Sequence, residues 1–323
     1  MAAEVKGATH NIAQMMQMTA AREVYGKVLA ELGKKNKDIV VLTADLMRAN
    51  KSGQFRANFP DRFFNTGIAE QDMMSIAAGL ALEGKIPFAS TFATFASMRA
   101  CEQVRTDIAY PNLQVRIVAT HAGVTMSGGT THYAVEDIAI LRSMANMTVI
   151  VPGDPNQVGK VIEASLDYAG PVYIRIGRGK EPVVYEKEYD FKIGKAITVR
   201  QGKDATVIAC GIAVFHALQA ATKLAEKGIS IRVIDMHTVK PLDTEAVLKA
   251  ARETGKIVTA EEHSIIGGLG SAVAETILEG GVSVKFKRLG IPDVFPPIGS
   301  PEELYAEYGF DGDGIARQLT SMF

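Results

Sequence analysis

Apolar residues recur along this chain in two alternating rhythms. From Thr19 to Leu32 the apolar positions Val24, Val28, Leu29 and Leu32 fall at helical spacing, and Gly33 is the expected helix stop. Ile39 to Leu42 follows as a short β-branched run ending in Thr43-Ala44-Asp45. That pattern predicts a buried parallel strand with Asp45 at its carboxyl end, where open α/β sheets bind ligands. The alternation continues: Phe63-Phe64-Asn65 leads into a helix from about Glu70 to Glu83, and Pro87-Phe88-Ala89 into a helix from Phe95 to Ala109. Val115 to Ala119, Thr148 to Val151 and Val172 to Ile176 read as further strands, with a helix from Asn156 to Tyr168. Such alternation implies a doubly wound, three-layer α/β domain.

Between Arg178 and Lys195 the composition turns charged, with Lys180, Glu181, Glu186, Lys187, Glu188, Asp190 and Lys192, and a linker is expected there. A second α/β cycle follows: strands at Ala205 to Ala209, Ile231 to Asp235 and Ile257 to Ala260, and helices at Ile212 to Lys227 and after Gly267. The expected organisation is an extension over 1–18, a first α/β domain over 19–180, a linker over 181–194 and a second α/β domain over 195–323.

The length of 323 residues suits two domains, each with its own core. Lys and Arg number 35 against 36 Asp and Glu, interspersed without long blocks, so the charge offers no surface for nucleic acid or membrane. Cys101 and Cys210 are too few and too far apart for a disulfide framework or metal knuckle, are expected buried, and fit a reducing cytoplasm. No stretch is apolar for long enough to cross a bilayer, and residues 1–18 do not read as a signal peptide.

Candidate chemistry begins at Gly67-Ile68-Ala69-Glu70-Gln71, where a carboxylate stands between an apolar entry and the apolar run from Met73 to Leu82. Such a group is costly to desolvate without a donor or a shared proton. Ser90-Thr91-Phe92-Ala93-Thr94-Phe95 places two aromatics after a strand, suited to a flat heteroaromatic ring. Thr120-His121-Ala122-Gly123 and Ser127-Gly128-Gly129-Thr130-Thr131-His132 put two histidines after the next strand, available for proton transfer. Ile176-Gly177-Arg178-Gly179 sets a guanidinium at a strand end, where it can fork onto a phosphate.

In order and spacing these phrases resemble the pyrimidine-binding half of transketolases, and the resemblance continues through Val233-Ile234-Asp235-Met236 and Pro241-Leu242-Asp243. The chain is most similar to the C-terminal subunit of a split transketolase; deoxyxylulose-phosphate synthases and 2-oxoacid decarboxylating enzymes are more distant relatives within the thiamine diphosphate superfamily. The resemblance implies that Glu70 hydrogen-bonds N1′ of the cofactor's aminopyrimidine and that Phe92 and Phe95 flank the ring. Met98 stands where a third aromatic is expected, and Asp45 where the family has an acid near the cofactor. His121 and His132 match histidines that contact sugar oxygens, and Arg22 and Arg178 match arginines that bind the acceptor phosphate. The implied activity is transfer of a two-carbon ketol unit between sugar phosphates.

The family's diphosphate and Mg²⁺ site has no counterpart here. Gly312-Asp313-Gly314, close to the end, is the one triplet of that type and reads as a turn before the last helix. Thiamine diphosphate would therefore be held jointly with a diphosphate-binding partner subunit carrying the Mg²⁺ ligands, two copies of each chain being expected. The alternatives are half of another thiamine enzyme, deoxyxylulose-phosphate synthase-like or 2-oxoacid decarboxylating, and, from a different class, a non-catalytic assembly subunit. One departure concerns the sugar: Gly128 replaces the acid that usually recognises the donor's C2 hydroxyl, and Ala49 replaces a phosphate-contacting Ser, implying a shifted donor or acceptor preference. Glu261-Glu262-His263 with Gly267-Gly268-Leu269-Gly270 is a weak second signal, expected to pack against the first domain or to lie near the active-site entrance.

Overall fold

A computed structural model describes residue 15 and residues 17–125, 128–185 and 189–323. The expected loop residues Met126 and Ser127 and the charged residues Glu186, Lys187 and Glu188 lie outside the described residues, as does most of the 1–18 extension.

The buried β-branched runs form two sheets. The first has seven strands in the order Thr238–Lys240, Thr148–Ile150, Val172–Arg175, Arg116–Thr120, Ile86–Phe92, Ile39–Thr43 and Phe63–Asn65. All its neighbours are parallel except the outermost, Thr238–Lys240, which pairs antiparallel with Thr148–Ile150. The second has five strands, in the order Lys285–Ile291, Lys256–Ser264, Ala205–Ala209, Ile231–Asp235 and Ile197–Arg200, the last antiparallel. Helices cover both faces, which is why Ile39–Thr43, Arg116–Thr120 and Ala205–Ala209 are buried at every position. One hydrophobic cluster runs from Val40, Met73 and Val149 of the first domain to Ile208, Val239 and Val273 of the second, so the domains share a core.

Several local expectations change. The first helix, Ala21–Lys35, runs through Gly33. A Cβ at Gly33 would lie 2.6 Å from the Phe55 ring and 2.7 Å from the Phe59 ring, so this glycine admits two aromatics to the helix surface and ends nothing. Met18–Ala20, read as extension and helix start, is a strand paired antiparallel with Lys180–Pro182. The linker is thereby tied down: Val183, Val184 and Tyr185 are buried, and Asp154 accepts hydrogen bonds from the backbone N–H groups of Val184 and Tyr185. The segment Phe95 to Ala109 is not one α-helix. It opens with a π-helical turn at Phe95–Arg99, closed by Ala100 N–H donating to the Phe95 carbonyl, and has a second at Val104–Ala109. Gly312 and Gly314 lie in the first turn of the helix Gly312–Thr320, capped by Asp311, rather than in a turn before it. Cys210 is buried as expected, whereas Cys101 is only partly so. The sequence reading did not place the helices Asp137–Ser143, Thr244–Thr254 and Pro301–Glu307 or the strand Lys285–Ile291. No helix among the described residues is long and apolar enough to cross a membrane.

Candidate active site

The chain leaves Ile39–Thr43 for Phe63–Asn65 on one side and then returns to Ile86–Phe92 on the other. This reversal opens a crevice at the strands' carboxyl ends, and the candidate residues gather around it. Glu70 is the first residue of the helix Glu70–Leu82 and is 1% exposed. An N-terminal helix carboxylate is favoured by the unpaired N–H groups of the first turn, and this one has two side-chain donors as well. Arg99 Nη1 donates to Oε2 at 2.7 Å, and Thr91 Oγ1 to Oε1 at 3.4 Å.

Phe92 and Phe95 lie with ring centroids 5.5 Å apart and planes 25° from parallel. The Arg99 guanidinium sits 3.9 Å from the Phe95 centroid, over the ring face. Phe95 and Arg99 stand four positions apart on the π-helical turn, on one side of the segment, and such turns concentrate at functional sites. Arg99 was not singled out from sequence. The signal was present in a buried carboxylate that required a donor and an arginine four positions after an aromatic on a helical segment.

His121 stacks obliquely on Phe92 with centroids 4.0 Å apart, and His132 meets the edges of Phe92 and Phe95 at 6.3 and 5.6 Å. The four rings form one cluster. His121 is 3% exposed and holds a left-handed φ of 58°, a conformation that strains a non-glycine residue and aims its ring into the crevice. Burial pushes its pKa down to about 3, with Arg22, Arg178 and His132 adding positive potential, so the imidazole is neutral at neutral pH. Its Nδ1 lies 2.9 Å from the Thr120 hydroxyl.

Arg22 and Arg178 meet beside His121. Arg22 Nε donates to the Arg178 carbonyl at 2.9 Å, and Nη1 to the Ala49 carbonyl at 2.5 Å, so Ala49 touches this arginine through its backbone. Burial and the Arg178 charge both lower the Arg22 pKa, as expected where two guanidiniums share space suited to an anion. Two further candidates are exposed. Asp45, exposed and at a left-handed φ of 58°, is tied to Asn65, whose amide donates to it at 3.3 Å. Met98 is 41% exposed, its sulfur 3.9 Å from the Thr94 hydroxyl. Among the described residues, no group of three or more His, Cys, Asp or Glu side chains is close enough to hold a metal ion.

Beneath the crevice, Arg175 is buried against Asp137 at 2.8 Å and donates to the carbonyls of Ala134 and Glu262; Tyr173 donates to Asp137 at 2.7 Å. Glu262 accepts from the Val124 N–H at 2.9 Å and from the Tyr305 hydroxyl at 3.0 Å. The Glu261-Glu262-His263 segment thus packs against the first domain: Glu261 accepts from Leu269 and Gly270, and His263 Nε2 accepts from the Ala139 N–H.

Comparison with known proteins matches residues 17–182 to the transketolase pyrimidine-binding domain and residues 194–315 to the transketolase C-terminal domain. A putative transketolase C-terminal section from Methanocaldococcus jannaschii is 48% identical over 92% of this chain and 94% of its own length. One subunit of an apulose-4-phosphate transketolase from Phocaeicola vulgatus is 44% identical over 93% of this chain and 96% of its own length. Among solved structures, a split gene transketolase described as an inactive beta4 tetramer superimposes with a TM-score of 0.88 at 46% identity, covering 94% of this chain and 98% of that one. By fold, site and these matches, the chain belongs to the transketolase family and carries its pyrimidine-binding and C-terminal domains.

Proposed function

We propose that this chain is the pyrimidine-binding subunit of a thiamine-diphosphate-dependent enzyme that moves a two-carbon ketol unit from a ketose phosphate to an aldose phosphate. The observation that carries the reading is Glu70, buried at a helix start beside the Phe92 and Phe95 rings and supplied with a charged donor. These residues fit the aminopyrimidine end of the cofactor: a carboxylate for a ring nitrogen, and aromatic faces for a flat heterocycle. When bound, thiamine diphosphate supplies the nucleophilic carbon and the electron sink that such chemistry requires.

The chain's own part is positioning and proton handling. Glu70 holds the proton shared with the pyrimidine nitrogen, and Arg99 with Thr91 fixes the carboxylate that does so. His121, neutral and strained toward the crevice, accepts or donates at a sugar oxygen, and His132 faces it across the phenyl rings. Arg22 and Arg178 receive the substrate phosphate. Gly312-Asp313-Gly314 offers no diphosphate site, since its glycines are packed in a helix turn and Asp313 pairs with Lys223 at 2.6 Å. The diphosphate and Mg²⁺ therefore fall to a partner subunit, with two copies of each chain. Gly128, in place of the donor-reading acid, moves the preference away from the usual xylulose and ribose phosphates, in line with a relative named for apulose 4-phosphate.

The test is reconstitution of the full chain with its diphosphate-binding partner, thiamine diphosphate and Mg²⁺, assayed for two-carbon transfer over a panel of ketose phosphates. Activity that needs both chains and is lost in Glu70→Gln supports the reading. Activity from this chain alone, or full activity in Glu70→Gln, would refute it, and xylulose 5-phosphate as best donor by a wide margin would refute the shifted preference.

A further inference from the structure

A cavity of about 340 Å³ lies between the domains, and none of Arg22, Glu70, Phe92, Phe95, His121, His132 or Arg178 lines it. On one side it meets the carboxyl end of Ala205–Ala209, where Gly211 and Ile212 lead into the helix Ala213–Ala225. Glu262 reaches it from just past Ala260, the last residue of its strand paired with Ala209. From the strand Ala205–Ala209 the chain goes first to Ile231–Asp235 on one flank and later to Lys256–Ser264 on the other. The cavity therefore occupies the second domain's own topological switch point, the place where a doubly wound sheet takes ligands. The first domain closes it with Arg175, Gly177 and Glu181.

Its walls are apolar at Val151, Pro152, Ile212, Phe215 and Tyr305, and a few polar groups converge inside, the usual make-up of a small-molecule site. Two of the cations nearby are already committed, and the third, Lys180, is exposed. Arg175 is bound to Asp137 and two carbonyls, and Arg22 to the carbonyls of Arg178 and Ala49. Glu181 is half-buried at the cavity wall, and its carboxyl accepts no hydrogen bond from the described residues. Burial pushes it up to about 8, helped by Glu262 and Asp154 and opposed by Arg175 and Arg22. Lys180, Glu302 and His216 complete the charged and titratable lining. His216 sets Nδ1 3.2 Å from Gln219 Oε1, while its buried Nε2 has no partner.

We propose that this cavity is a second ligand site, taking a small organic cation whose ammonium group meets Glu181 and whose apolar body packs on Phe215 and Ile212. The Glu181 proton leaves to solvent as the ammonium takes its place; no covalent bond changes. The segment from Arg175 to Glu181 that closes the cavity also carries Arg178, so an occupant touches the same stretch of chain as the candidate phosphate arginine. The start of the helix Ala213–Ala225 favours an anion by its dipole, which makes the sign of the preferred charge the decisive measurement.

Titration calorimetry on the full chain with benzylamine, benzyl alcohol and phenylacetate tests it. Benzylamine should bind at least about tenfold more tightly than benzyl alcohol, the weight of one charged hydrogen bond. Its affinity should rise between about pH 6 and about pH 8, because Glu181 must lose a proton for it. Glu181→Gln should abolish that preference and its pH dependence, and Ile212→Phe, which fills the cavity, should abolish benzylamine binding. Phenylacetate binding as tightly as benzylamine, benzylamine failing to bind, or an affinity unchanged in both variants would overturn the proposal.

Discussion

Arg99 Nη1 donates to Glu70 Oε2 across 2.7 Å while its guanidinium lies 3.9 Å from the Phe95 ring centroid. One side chain thus governs both the carboxylate and the aromatic wall of the candidate pyrimidine pocket. In Arg99→Gln the buried carboxylate loses its charged donor. A lost charged hydrogen bond is worth about 1.5–3 kcal/mol, and with Arg99 partly exposed the lower half applies, a loss of roughly tenfold. The expected change is a weaker apparent affinity for thiamine diphosphate and lower two-carbon transfer in the reconstituted enzyme, partly restored in Arg99→Lys. Cofactor titrations of activity check this, and equal values for the three proteins would remove Arg99 from the site.

His121 should stay neutral throughout the working range. Its folded pKa of about 3 lies below the ordinary histidine value of 6.5. The unfolded chain therefore binds the extra proton first, and the stability His121 contributes is present above about pH 6.5 and lost as pH falls toward 3. Imidazole resonances followed by NMR should show no His121 titration between about pH 5 and 8. In Arg22→Met the titration should move upward, because Arg22 contributes to the depression. A midpoint near the ordinary value in the unaltered protein would contradict the buried geometry.

Arg175→Met should be among the most damaging substitutions in the chain. It leaves Asp137, which is 0% exposed, without the guanidinium that neutralises it, and unties the carbonyls of Ala134 and Glu262. Breaking one side of a buried pair costs about 3–5 kcal/mol. Urea unfolding should register that loss, whereas the double variant Arg175→Met/Asp137→Leu, with no orphaned charge, should recover part of it.

Gly123→Ala tests the contact between domains. Gly123 has a φ of 68°, and a Cβ there would come within 2.1 Å of the Glu262 carboxyl carbon. Left-handed strain and overpacking each cost about 1–3 kcal/mol. Thermal melting should fall by several degrees, while Gly84→Ala, also at positive φ but with nothing within 4 Å of its Cβ, should show the strain alone.

Much of this molecule was legible in its residues. The β-branched runs predicted the parallel strands because burial on both faces leaves little room for polar residues, as at Ile39–Thr43 and Ala205–Ala209. Glu70, Phe92, Phe95, His121 and His132 could be picked out because each stands at a strand or helix end beside glycines or other ring residues. The misreadings share a cause, which is that tertiary contact overrode local preference. Gly33 looked like a helix stop, but Phe55 and Phe59 needed its bare surface. The charged stretch after Arg178 reads as a linker, and what its composition does not show is that strand pairing and the Asp154 carboxyl anchor it. Arg99 was overlooked because its partner Glu70 lies 29 positions earlier in the chain, a contact that only the packing of the helix Glu70–Leu82 against this segment creates.

The strand Thr238–Lys240 comes from the second domain yet forms the rim of the first domain's sheet, with Lys240 Nζ donating to the Arg142 carbonyl beside it. Cutting the chain between the two family domains would strip that rim away and bare the backbone of Thr148–Ile150, which is apolar at Val149 and Ile150. An unprotected strand of that kind recruits neighbouring chains. The halves are thus recognisable units of sequence but not separable units of solubility: a fragment of the first domain alone should aggregate through this edge.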